Sequence, residues 1–290
     1  MLYSRTFIVH GTYCRDDLGW WVQQGSMSTI RLNISANAQY DLPKETFLLL
    51  MVEPRLKGEG HTVIEESLKT SLTPFSELAF DGFGNPLRRL VAPAGAFTFD
   101  FTATVETVCN SAIPKEAIEH DPRDLPAEVM PYTLPSRYCQ SDLLSRLAMG
   151  EFGSLAPGGG RVQAIAEWVR THVEYQYGTT NAMTSAYDTA VQRIGVCRDF
   201  AHLTIAFCRA LDIPARYVSG YCLGLDPPDF HGWAQVYISG AWRNVDATFN
   251  GVREALVPIA YGRDAADVSL LTFWGSNNTF QSQSVTVKRA

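Results

Sequence analysis

The stretch from residue 197 to 211 limits the fold more than any other part of the chain. Phe200, Leu203, Phe207 and Ala210 recur at helical spacing on one stripe, and Ala201, Ile205 and Cys208 form a second. A helix that is apolar on two sides must be covered over most of its surface, so it belongs at the centre of a packed unit. Pro214 stops it. Upstream, Val162, Ile165, Ala166, Val169 and Val173 mark another helix, opening after the break Pro157-Gly-Gly-Gly160. Downstream come three strand-like segments, at 215–224, 232–238 and 241–248.

Residues 29–108 have a different texture. Ile30, Leu32 and Ile34 alternate with polar residues, 46–52 is a short apolar run, and Phe97, Phe99, Phe101, Ala103 and Val105 lie on one face at period two. Turn signals at Asp81-Gly82, Gly84-Asn85-Pro86 and Pro93-Ala94-Gly95 punctuate them, which reads as a β-sandwich. The proline-rich stretch 113–135 is an extended connector, because proline suits neither a helix interior nor a central strand. The expected organisation is an N-terminal extension at 1–26, a sandwich domain at 27–115, a linker at 116–135 and a catalytic domain at 136–290. The extension carries Trp20-Trp21 and Gly25-Ser26 and fits the rest poorly; the alternative is a native strand at 5–10.

Composition narrows the class. A length of 290 residues suits about two domains. A formal charge of −6 argues against a protein held to nucleic acid by its overall charge and leaves neutral or basic substrates open. The longest apolar run, at 47–52, is far short of the roughly 20 residues of a membrane span, so no membrane partner is expected. Nor does the start of the chain have the apolar centre of a signal peptide. Six cysteines at irregular spacing, with no CxxC pair, point to thiols in a reducing cytoplasm. They offer no zinc pattern, and neither a metal nor another cofactor is expected.

Cys197 follows Gly195-Val196 at the start of the central helix, where unpaired N–H groups and the helix dipole favour an anion. Such a position favours a nucleophilic thiolate and can stabilise the oxyanion formed when it attacks a carbonyl. Ser239-Gly240 suits a two-residue hairpin turn. That turn sets Ile238 opposite Ala241, His231 opposite Thr248 and Asp246 opposite Trp233, so His231 and Asp246 are diagonal neighbours roughly 7–8 Å apart at the backbone. An imidazole held by a carboxylate is fixed in tautomer and can act as a base toward a thiol.

Three segments resemble the catalytic blocks of the bacterial transglutaminase-like family: Gly195-Val-Cys-Arg-Asp-Phe-Ala-His202, Asp229-Phe-His-Gly-Trp-Ala-Gln-Val-Tyr237 and Trp242-Arg-Asn-Val-Asp-Ala-Thr248. Tyr261-Gly-Arg-Asp-Ala-Ala-Asp-Val268 is similar to the segment that follows them, and Phe83-Gly-Asn85 to the preceding β domain. The resemblance implies an α+β fold: a papain-like core, with the Cys-bearing helix on an antiparallel sheet, preceded by an all-β sandwich. It implies Cys197 as nucleophile, His231 as general base and acid, and Asp246 as the residue orienting the histidine. From the hairpin itself, His231 and Asp246 are expected on adjacent strands facing Cys197, with Nδ1 toward the carboxylate. Gly232 departs from the family, which more often has Ala there.

Neighbouring residues are assigned bland roles. Arg198 and Asp199 read as a structural ion pair or a helix-start carboxylate, and His202 faces away from Cys197. Trp233 and Trp242 suit sheet packing better than a substrate wall. Gln192 is a solvated helix residue with an outside claim to be a second oxyanion donor. The expected activity is acyl transfer from a peptide or protein substrate through a thioester, with water as acceptor. Amine transfer is the alternative, and a non-catalytic binding protein on the same fold is the rival of another class.

Overall fold

A computed structural model describes residues 13–15, 21–23, 28–55, 60–71, 73–275 and 277–290. Two short strands, β1 (Tyr13–Arg15) and β2 (Trp21–Gln23), pair antiparallel. The strand considered for residues 5–10 lies outside the described residues.

The sandwich begins with β3 (Thr29–Leu42), β4 (Thr46–Leu50), β5 (His61–Thr70), β6 (Phe75–Phe80), β7 (Pro86–Ala92) and β8 (Gly95–Val108). The period-two pattern does what the sequence expects. Leu32, Ile34, Ala36 and Ala38 of β3 point inward against Phe97, Phe99, Phe101 and Val105 of β8, all essentially buried. Full burial of each such phenylalanine stabilises by about 1.5–3 kcal/mol before entropy is counted.

Beyond the connector come α1 (Ser141–Phe152), α2 (Gly159–His172), β9 (Glu174–Tyr175), α3 (Ala186–Gln192), β10 (Ile194–Gly195) and α4 (Cys197–Arg209). They are followed by β11 (Ala215–Cys222), β12 (His231–Ile238), β13 (Ala241–Val245) and β14 (Leu256–Gly262). Strands β13-β12-β11-β14 form one antiparallel sheet. Helix α4 lies against β11 and β12 with α1, α2 and α3 around it, and its residues 199–209 are all buried. Two apolar stripes therefore mean what they promised. The architecture is α+β, with a helix-on-sheet core joined to a sandwich.

The chain then returns to the sandwich. Strand β15 (Leu271–Trp274) pairs with β4, and β16 (Thr279–Arg289) pairs with β3, giving sheets ordered β15-β4-β7-β6 and β16-β3-β8-β5. The boundary of 136–290 is thus corrected at its end: residues 271–274 and 279–289 complete the sandwich. Their mixed patterns, with β16 largely exposed, carry no label of the sheet they join.

The two halves are tightly docked. Tyr221 stacks on Phe101 with centroids 6.1 Å apart, and its hydroxyl donates to the Val52 carbonyl at 2.7 Å. Asn85, fully buried, donates from Nδ2 to the Tyr261 carbonyl and to Asp81, both at 2.7 Å. Its Oδ1 accepts from the Tyr261 N–H at 2.8 Å and from Arg55 at 2.6 Å. Tyr261 lies on β14, the edge strand of the core sheet, and the side-chain amide serves as the missing neighbouring strand. Among the described residues no helix is long and apolar enough to cross a membrane.

Candidate active site

Cys197 is the first residue of α4 and is partly exposed. The helix start is held by Asp199, whose Oδ2 accepts from the Val196 N–H at 2.9 Å and from the Thr180 hydroxyl. Arg198 stands 3.4 Å from its other oxygen. A side chain at Gly195 would meet the Asp199 Cβ at 2.7 Å, so glycine is required for the carboxylate to fold back. Arg198 and Asp199 are therefore parts of the cap, and the cap fixes where the sulfur sits.

The hairpin has the expected register: Ile238 pairs with Ala241, and the ladder runs to Ala234 with Val245. Strand β13 ends one residue before Asp246, which lies in the following turn. His231 opens β12. The His231 Nε2–H donates to Asp246 Oδ2 at 2.7 Å. This corrects the expected ring orientation: Nε2, not Nδ1, faces the carboxylate. A carboxylate only accepts, so Nε2 carries the proton and Nδ1 is the ring nitrogen left for the Cys197 thiol, whose influence helps raise the His231 pKa. The three residues proposed from the spacing are thus brought together.

Both polar members are buried, with 3% and 4% of their side-chain surfaces exposed. Burial alone would push the His231 pKa down. The hydrogen bonds to Asp246 and Cys197 and the charges of both outweigh it and raise the value to about 9. Burial would raise Asp246, but the bond and charge of His231, and then the Thr248 O–H and N–H, bring it to about 2. Those Thr248 groups reach Asp246 Oδ1 at 2.6 and 3.0 Å. The Trp233 ring stacks on the imidazole at 5.9 Å, while its N–H donates to Asn244 at 2.8 Å. Trp233 is buried and Trp242 packs on Tyr132, Tyr237 and Arg216, so both are packing residues.

Two groups have no signature in the sequence. Tyr175 is placed by a two-residue parallel bridge, β9 with β10, in which it pairs with Gly195. The Cys197 backbone N–H is directed at the Tyr175 hydroxyl, and burial, followed by the Cys197 charge, raises the phenol pKa. A bridge this short has no periodicity to detect; alternation of Tyr175 and Tyr177 before Gly178 was the available clue. Arg253 donates from Nε to Asp246 Oδ2 at 3.1 Å, from a loop with no motif. Gln192 is exposed at the end of α3. His202 is buried, accepts from the Ala265 N–H at 3.1 Å and stacks on Tyr138, away from the reacting groups.

A cleft of about 330 Å³ opens at His231, lined by Tyr175, Tyr177, Phe230, Thr248 and Arg253 among others. Burial raises the thiols of Cys139, Cys208 and Cys222 to about 12, which leaves them unreactive at neutral pH. Among the described residues no group of three or more His, Cys, Asp or Glu is disposed to hold a metal ion.

The profile of the transglutaminase-like superfamily matches residues 150–247. A solved structure from Cytophaga hutchinsonii, described as a "Putative Cysteine Protease", is 38% identical and superposes with a TM-score of 0.84 over 90% of this chain and 91% of that one. An uncharacterized protein of Mycobacterium leprae is 38% identical over 122 residues, and one of Mycobacterium tuberculosis is 35% identical over 120. Those matches reach 42% and 38% of the length of the mycobacterial proteins. The profile covers the Cys and His–Asp segments, while the Cytophaga structure shares both the sandwich and the core. The chain belongs to the transglutaminase-like superfamily.

Proposed function

We propose that this chain is a cysteine acyl-transfer enzyme that cleaves peptide or amide bonds through a thioester, with water as acceptor. The observation that carries the reading is the buried His231–Asp246 hydrogen bond, set next to Cys197 at the start of α4, with a cleft opening at His231. The thiol proton rests on His231 Nδ1, and the Cys197 thiolate attacks the carbonyl carbon. The Tyr175 hydroxyl, toward which the Cys197 N–H is directed in the free site, is the candidate side-chain donor to the oxyanion. As the C–N bond breaks, His231 returns the proton to the leaving amine and the thioester remains. Water then adds to the thioester with His231 as base, releasing the acid and the thiol. Asp246 holds the ring in one tautomer and stabilises its cation.

Hydrolysis is favoured because water is always present, whereas transfer to an amine needs a site built to exclude it. The substrate is a peptide or a protein. The Cytophaga relative's description as a cysteine protease supports the same assignment. The described cysteines Cys109, Cys139, Cys197, Cys208 and Cys222 are free thiols, which supports a reducing compartment such as the cytoplasm.

The test is a peptide library incubated with the wild type and with Cys197→Ala, and read by mass spectrometry. Cleavage or deamidation present only in the wild type supports hydrolysis. Cross-linked products in place of hydrolysed ones would make the acceptor an amine. No difference between the two proteins would sink the enzymatic reading.

A further inference from the structure

Asp246 spends its two oxygens on four donors. Oδ1 takes the Thr248 N–H and O–H, and Oδ2 takes both His231 Nε2–H and Arg253 Nε–H. A permanent cation thus shares the very oxygen on which the imidazole leans. Arg253 is held there firmly. Its side chain is 12% exposed, and its guanidinium lies 4.1 Å above the Phe249 ring. It also forms a wall between two spaces. One is the cleft at His231; the other is a cavity of about 340 Å³ behind Asp246, lined by Asn110, Gln163, Asn244 and Leu256 among others.

Two consequences follow from that placement. The first is geometric: two donors on one oxygen, and two on the other, remove the carboxylate's freedom to rotate away from His231. The second is electrostatic. A guanidinium bonded to the same carboxylate opposes the imidazolium, because like charges disfavour each other's charged forms. We infer that Arg253 is a positioning residue that locks Asp246 against His231 and limits the pH range over which the Cys197–His231 ion pair persists. The inference rests on Cys197 and His231 acting as a pair.

Other charged or titratable groups around the pair come from every neighbouring element. Helix α4 brings Arg198 and Asp199, which bond each other. Strand β11 brings Tyr217 and Cys222; the following loop brings Asp226 and Asp229; the β9 segment brings Tyr175 and Tyr177. From α2, Arg170 and Glu167 line the rear cavity but bond one another. Among the described residues, Arg253 is the one Lys or Arg that bonds Asp246.

The experiment uses no substrate. Carbamidomethylation of Cys197 by iodoacetamide is followed by peptide mass spectrometry from about pH 4 to 11, in the wild type, Arg253→Gln, Arg253→Met and Arg253→Lys. A thiolate–imidazolium pair gives a reactive plateau whose upper inflection reports loss of the His231 proton. Both neutral variants should move that inflection upward by about half to one pH unit, since the opposing charge has gone. Arg253→Lys keeps the charge and should return it toward the wild-type position. Methionine, which packs against Phe249, covers the case in which glutamine destabilises the loop. If the inflection stays in place in a folded neutral variant, or moves equally in Arg253→Lys, the charge role is overturned. If the wild type itself titrates as an ordinary thiol with no plateau, the Cys197–His231 pairing fails, a result distinct from the first.

Discussion

Replacing Asn85 should uncouple the sandwich from the catalytic half. Its amide makes four bonds: two exchanged with the Tyr261 backbone and one each with Asp81 and Arg55. In Asn85→Leu the volume is roughly kept, but the Tyr261 N–H and C=O lose their partner at a buried strand edge. A typical hydrogen bond contributes about 1 kcal/mol net, and each buried group left unpaired costs about 1–3 kcal/mol. Asp81 retains its bonds to the Phe83 and Asn85 N–H groups, and Arg55 retains Phe83 and its place over the Tyr261 ring. The two Tyr261 groups therefore dominate, and the loss should be about 3–5 kcal/mol. At about 2–4 °C per kcal/mol for a chain of this size, Tm should fall by roughly 10 °C. Differential scanning calorimetry reads both the shift and its shape: a single wild-type transition should broaden or split as the halves unfold separately. A loss below about 1 kcal/mol with one sharp transition would refute the reasoning and mean that water replaces the amide at no cost.

Gly232→Ala should be costly although the change is one methyl group. Its Cβ would stand 2.1 Å from the buried Tyr217 hydroxyl, so a loss of about 1–3 kcal/mol is expected by thermal melting, and Tyr217→Leu should recover most of it. On any amide substrate that turns over, Cys197→Ala and His231→Ala should abolish activity, while Asp246→Asn should retain a trace. The Cys197/His231 double variant should be no worse than the Cys197 single variant, because the members act as a unit. Stability should track pH through the same pair. With the His231 pKa raised from 6.5 to about 9, its contribution is full below 6.5 and lost as pH rises through 9. With Asp246 lowered from 3.8 to about 2, its contribution is present above 3.8 and lost as pH falls through 2. The gap in Tm between the wild type and His231→Ala should therefore narrow from pH 6.5 to 9; a constant gap would contradict the assignment.

What could be read from the chain alone was whatever short-range geometry dictates. The inward face of Phe97, Phe99 and Phe101 follows from period two, and burial of the helix that starts at Cys197 follows from its two stripes. The His231–Asp246 meeting follows from a turn, Ser239-Gly240, that fixes the register of the strands around it. Long-range choices left no such trace. Which imidazole nitrogen faces Asp246 depends on where α4 packs, and α4 is remote in sequence from the hairpin. Tyr175 reaches the Cys197 backbone through a bridge of two residues, and Arg253 reaches Asp246 from a loop. The fourth family block also acts at a distance. Asp264 accepts from the Tyr138 N–H at 2.8 Å, and the Arg263 carbonyl accepts from Arg209 at 2.5 Å, so that block fastens elements together.

The return of β15 and β16 to the sandwich has a consequence for the order in which the molecule is made. Strand β3 begins at residue 29, yet one of its two neighbours, β16, spans 279–289. During synthesis the helix-on-sheet half is complete while two strand edges of the sandwich, along β3 and β4, still await their partners. Those edges stay exposed for the time needed to translate about 180 residues from the end of β8 to the end of β16, on the order of ten seconds or more at about 5–20 residues per second. Aggregation of nascent chains should therefore concentrate at β3 and β4, and a version cut after residue 270 would make that transient exposure permanent.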